Sequence, residues 1–166
     1  LAFSAHQKLS RLQRESQDVF FQLALLLVRR YEQIPHLIDA LRADLVEEQA
    51  AVDVLLKAKT TAAAFAGAMR QQVGGIDTVS ELAIAEQKVV EALKQLTSLL
   101  GDRLAHNAPA AKIAEEITVV EGKIVSTREA YNNLVREYNF LRETFWGRLV
   151  TSRDSFKRAQ FFIHID

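Results

Sequence analysis

Cysteine is absent from this chain, which excludes disulfides and thiol chemistry while leaving the redox compartment open. Only two prolines and six glycines interrupt 166 residues, too few breaks for a fold of many short strands. Charge of one sign is missing too. The 21 basic residues cancel the 21 acidic ones, so no global field draws in nucleic acid or acidic substrates. No apolar run reaches the roughly 18–20 residues that cross a bilayer. The nearest, residues 19–28, contains Gln22 and ends on Arg29-Arg30, as suits a helix segment buried on most faces. The usual signatures of chemistry are also lacking. There is no Gly-x-Ser-x-Gly elbow and no phosphate-binding glycine loop, since Gly74-Gly75 is not followed by Lys-Ser/Thr. The histidines His6, His36, His106 and His164 stand apart, with no second histidine at helical spacing and no repeated Glu-x-x-His. These absences predict no catalytic centre, no cofactor and no metal, and leave an enzyme as the third-ranked reading.

What remains is a helical pattern. Ile113, Ile117, Val120, Ile124, Thr127, Tyr131, Leu134, Tyr138, Leu141 and Phe145 follow one another by alternating steps of four and three. This is a heptad seam, and it requires partner helices. A second helical stretch covers residues 4–69, through Leu9, Leu12, Val19, Leu23, Leu26, Ile34, Ile38, Leu41, Leu45, Val52 and Leu55. Pro35 lies inside it. A proline there removes a donor and crowds the preceding turn, which predicts a kink or a tight break. The alanine-rich residues 58–68 suit close helix–helix approach, with an end at Gly74-Gly75. Thr78 and Glu81 have capping-box spacing for a third helix through Leu82, Val89, Leu93, Leu96 and Leu100, stopped by Gly101. A polar loop over residues 102–108 and Pro109 in a first turn complete the reading. The fold class is all-α, an antiparallel bundle of long helices in one domain.

Two segments are candidates for interaction. The first is Arg29-Arg30-Tyr31 with Pro35, read either as a surface or as a kink with its arginines in water. The second is residues 148–165, where Arg148, Arg153, Lys157 and Arg158 face one acid, Asp154, among Phe156, Phe161, Phe162, Ile163 and Ile165. Such a basic, aromatic stretch fits a final helix extended beyond the bundle toward lipid or a partner groove, or an ordinary packed helix. Nucleic acid is disfavoured by the neutral balance. Tyr131-Asn132 and Tyr138-Asn139 repeat seven residues apart on the seam. Each ring is expected to fill core space, while each amide bonds a neighbouring backbone, for instance at Pro35.

The run Arg29-Arg30-Tyr31-Glu32-Gln33-Ile34-Pro35-His36-Leu37-Ile38 resembles the first signature of the LemA family, which reads close to Arg-Arg-Tyr-Asp-x-Ile-Pro-Asn-Leu-Val. Residues 130–139 resemble its second, Tyr-Asn-x-x-Val-x-x-Tyr-Asn, about 100 residues later. The resemblance implies a bromodomain-like four-helix bundle held to a bacterial membrane by an N-terminal transmembrane helix, its soluble part cytoplasmic. On that expectation the start at Leu1 reflects removal of the anchor. It also implies partners among membrane-associated proteins and no established enzymatic activity; self-association stays open. After Phe145 the common family tail is replaced by Phe145-Trp146-Gly147 and the basic aromatic segment, as in a specialised branch such as MamQ, which is needed to form magnetosome membranes. The expected role is a non-enzymatic scaffold, the alternative a sensory module taking a small ligand in the bundle.

Overall fold

Helix α1 (Ala2–Ala40) is the longest element, and the rest of the fold is arranged around its buried stripe. Leu9, Leu12, Ser16, Phe20, Leu23, Leu27, Tyr31, Ile34 and Leu37 succeed one another by threes and fours and are all buried. The structure, a computed structural model, describes residues 2–71, 79–144, 148–149 and 156–162. Helix α1 packs most extensively along α5 (Ala108–Glu143) and also against α2 (Gln49–Gln71). Helix α3 (Val79–Leu100) lies on α2, and a five-residue α4 (Asp102–His106) joins α3 to α5. No strand occurs among the described residues. The all-α bundle expected from the sequence is the fold observed.

Pro35 does not break the chain: α1 continues through it to Ala40. The energetics explain this. An interior proline costs about 3 kcal/mol. Leu37 and Leu41, both essentially buried just beyond the proline, keep the stripe set by Tyr31 and Ile34 only if the helix continues to Ala40, at about 1.5–3 kcal/mol each. The reversal falls instead on residues 41–48, a turn containing neither glycine nor proline. It is anchored inward by Leu41 and Leu45, and Leu45 N–H donates to Leu41 O at 3.0 Å. Asn107 holds it from outside, its Nδ2 donating to Ala40 O at 2.9 Å and to Asp44 Oδ2 at 3.0 Å. The same Asn107 caps α5, where its Oδ1 accepts the Ala110 N–H at 3.1 Å and Pro109 occupies the first turn.

Gly101 ends α3 with φ of 52°, a left-handed value that glycine adopts without penalty. Residues 102–106 are helical rather than a loop. The seam of α5 buries Ile117, Val120, Ile124, Tyr131 and Tyr138 as expected, but drifts from Leu134 to fully buried Val135. A straight helix turns by about 20° per heptad against a strict 3.5-residue repeat, so the inward face moves one position along. Gly74-Gly75, Thr78, Phe145, Trp146 and Gly147 lie outside the described residues, as do Arg153, Asp154, Ile163, His164 and Ile165.

Candidate functional site

The first signature divides at its arginine pair. Arg29 is exposed, while Arg30, one step round the helix, is 3% exposed, so the picture of both arginines in water holds for Arg29 alone. The Arg30 guanidinium forms an ion pair through Nη2 with Glu86 Oε1 of α3. The Tyr31 hydroxyl donates to the other oxygen of the same carboxylate. A second acid, Glu121 of α5, sits 3.8 Å from Arg30 Nη1. Burial pulls the Arg30 guanidinium below its ordinary value, opposed by Tyr31 and Glu121. Its Nε is buried without a hydrogen-bond partner. Pro35 is half-buried, one turn further on. The first signature thus ties α1 to α3 through a carboxylate shared by Arg30 and Tyr31, with Glu121 of α5 as a second, more distant acid. Glu86 escaped the sequence reading, although a signal existed. It stands between Leu82 and Val89, where the stripe of α3 calls for an apolar residue.

The second signature does something the sequence reading placed elsewhere. Helix α5 ends at Glu143 and does not extend through the tail. Residues 156–162 are neither helix nor strand, and they run back antiparallel along α5. Asn139 Nδ2 donates to Ala159 O at 3.0 Å, and Asn139 Oδ1 accepts the Ala159 N–H at 2.9 Å. Asn132 makes the same two bonds to Phe162, at 3.0 and 2.9 Å. The Tyr138 hydroxyl donates to Lys157 O at 2.8 Å and that of Tyr131 to Gln160 O at 2.9 Å. Arg142 Nε adds a bond to Phe156 O at 2.8 Å. The backbone these amides bond is therefore that of the tail, not the vicinity of Pro35.

The spacing has a simple cause. Seven helical residues rise about 10.5 Å. Three residues of extended chain cover about 10 Å. Side chains seven apart on α5 thus meet tail residues three apart: Asn139 and Asn132 meet Ala159 and Phe162, while Tyr138 and Tyr131 meet Lys157 and Gln160. At the residues bonded by Arg142, Asn139 and Asn132, the side chains of Phe156, Ala159 and Phe162 are buried. Phe20 of α1 lies 5.2 Å from the Tyr131 ring and 6.4 Å from that of Phe162. Phe161 is half-buried, with the Arg136 guanidinium 6.0 Å from its ring centre. The basic residues described in the tail stay outside. Lys157 and Arg158 are exposed, the latter 3.7 Å from Glu143, and exposed Arg148 donates from Nε to Glu143 O at 3.0 Å. At the start of α3, Gln160 Oε1 accepts the Ser80 N–H at 3.2 Å.

Two consequences are measurable. Asn139→Ala leaves a buried N–H and C=O of Ala159 unpaired, at about 1–3 kcal/mol per group. A loss of about 2–4 kcal/mol in urea melts is expected, with a smaller one for half-buried Asn132→Ala. The three tyrosines, Tyr31, Tyr131 and Tyr138, are the only ones in the chain, and burial raises the pKa of each. In the unfolded chain they ionise near pH 10. Above that pH the unfolded state has released protons that the folded state keeps. The stabilising contribution is therefore complete below about pH 10 and lost as pH rises through the folded values, at up to about 1.4 kcal/mol per pH unit per tyrosine. Absorbance at the tyrosinate band should titrate above the ordinary tyrosine value in the native protein, with Tyr31 and Tyr131 the last to ionise.

A third feature is an open groove between α3 and α5, which do not pack closely on each other. It has a volume of about 400 Å³ and is floored by Arg30 and Leu37, with Val90, Leu93 and Ile117 among its walls and Phe162 among its lining residues. Among the described residues no three histidine, aspartate or glutamate side chains converge on a point that would hold a metal ion.

A family model described as LemA family matches residues 20–165. No curated protein and no solved structure matches the chain.

Proposed function

Because the chain belongs to the LemA family, we propose that it is a non-enzymatic scaffold or adaptor, held at a bacterial membrane by an anchor upstream of Leu1. The observation that carries this reading is how its two signatures are used. Arg30 and Tyr31 are bonded to Glu86, and Tyr131, Asn132, Tyr138 and Asn139 to the tail backbone. The residues of both signatures are thus engaged in contacts between elements of the fold, as a body that presents surfaces to partners needs. None of the described helices is long and apolar enough to cross a bilayer, so on this reading attachment comes from the upstream segment. The family match runs on through residue 165, so a specialised branch, such as the one serving magnetosome membranes, rests only on the residues that replace the common tail motif after Phe145. The test is fractionation of the tagged full gene product in its bacterial host. Recovery in the membrane pellet after a high-salt wash, with release by detergent, is expected. Recovery in the soluble fraction would end the membrane reading.

The alternative, a module that senses a small ligand, is favoured by the α3/α5 groove. Its volume falls within the range of small-molecule sites, with apolar walls and a few polar groups. Native mass spectrometry of protein purified from its host would support it by a stoichiometric adduct. That adduct should disappear in Ala114→Trp, which fills the groove from α5.

A further inference from the structure

Residues 156–162 are gripped through their backbone. The bonds from Arg142, Tyr138, Asn139, Tyr131 and Asn132 all end on main-chain N–H or C=O groups, which every non-proline residue offers. The two asparagine amides do for this segment what an adjacent strand does in a sheet, giving and receiving one hydrogen bond at a single residue. Selectivity is left to the inward side chains, and these fall at every third position: Phe156, Ala159 and Phe162. This is the division of labour found where proteins recognise extended peptides, with main-chain bonds giving affinity and spaced pockets giving specificity.

We propose that the Tyr–Asn face of α5 is a docking site for an extended peptide from a separate partner protein, and that residues 156–162 are its resident, replaceable occupant. The resident segment defines the partner's chemistry. It carries large apolar side chains six residues apart with a small residue midway, and no proline at the two positions whose N–H groups bond Asn139 and Asn132. Basic residues lie between, since Arg158 stands 3.7 Å from Glu143 at the rim. The proposal deepens the adaptor reading and rests on it for its biological use. Docking itself is measured on the isolated chain and fails or succeeds independently of membrane location.

Because the resident segment is tethered, its effective concentration is of millimolar order, and a free peptide must compete with it. The probe is a fluorescein-labelled synthetic peptide with the sequence of residues 154–166, followed by anisotropy. The chains are the wild type and two variants that weaken the occupant without touching α5: Ala159→Pro, which removes one bonded N–H, and Phe162→Ala, which removes one anchor. Binding at least about 10-fold tighter to a folded variant than to the wild type is expected. It should vanish when Asn132→Ala and Asn139→Ala are added, or when the peptide carries proline at the two bonded positions. Four results would overturn the proposal. One is no binding at about 1 mM peptide to either folded variant. Another is binding indifferent to the asparagines. Unfolding of both tail variants would make the segment an integral part of the core. A wild-type dimer that forms with rising concentration and is lost with the two asparagines would assign the face to exchange of tails between copies.

Discussion

Replacing Glu86 by alanine is expected to destabilise the fold by about 3–5 kcal/mol, the range for breaking a buried ion pair from one side. The reason lies in what is left behind. Arg30 is 3% exposed, its Nε already lacks a partner, and its remaining acid, Glu121, is 3.8 Å away and only half-buried. The Tyr31 hydroxyl loses its acceptor at the same time. Replacing both ions tells a different story. Arg30→Met with Glu86→Leu removes the uncompensated charge and restores apolar volume, so the double variant should lie within about 2 kcal/mol of the wild type or above it. Urea melts of the two single variants and the double variant measure this. A Glu86→Ala loss below about 1 kcal/mol would mean that Arg30 finds water in the α3/α5 groove and that the pair does not lock the helices.

Tyr138→Ala is the second large effect. The ring is 1% exposed on the inner face of α5, and truncating a large aromatic core residue costs about 3–5 kcal/mol. Its hydroxyl carries a separable part, the 2.8 Å bond to Lys157 O, which Tyr138→Phe removes at about 0.5–1.5 kcal/mol. The ratio of the two losses therefore separates core filling from tail retention. If the phenylalanine variant lost as much as the alanine variant, packing would not be the main role of the ring.

Much of the fold was legible because apolar spacing reports helix faces directly. The α5 seam, the stop at Gly101 and Pro109 in a first turn each have local causes. The reversal at residues 41–48 was not legible, since its residues are ordinary helix formers. The turn is imposed by burial of Leu41 and Leu45 and by Asn107, which lies more than sixty residues away. Pro35 left a kink and a break both open from sequence, and the burial of Leu37 beyond it decides against the break. Of the candidate residues, Tyr131 and Tyr138 could be placed on the seam, and Asn132 and Asn139 could be given a backbone to bond, but not that of the tail. Finding it required knowing that residues 156–162 run back along α5, and the matched rise of seven helical and three extended residues becomes visible only then. Arg30 and Arg29 look alike in sequence. Only the position of Glu86 across the bundle tells them apart.

The bonds from the second signature to the tail backbone hold the C-terminal segment in place, and native-state hydrogen exchange reads them one amide at a time. The Ala159 and Phe162 N–H groups should be protected by at least about 100-fold over an unstructured peptide. Protection at Ala159 should fall most in Asn139→Ala, and that at Phe162 most in Asn132→Ala. Exchange of both amides at unstructured rates in the otherwise native wild-type chain would mean that Asn132 and Asn139 do not hold the tail.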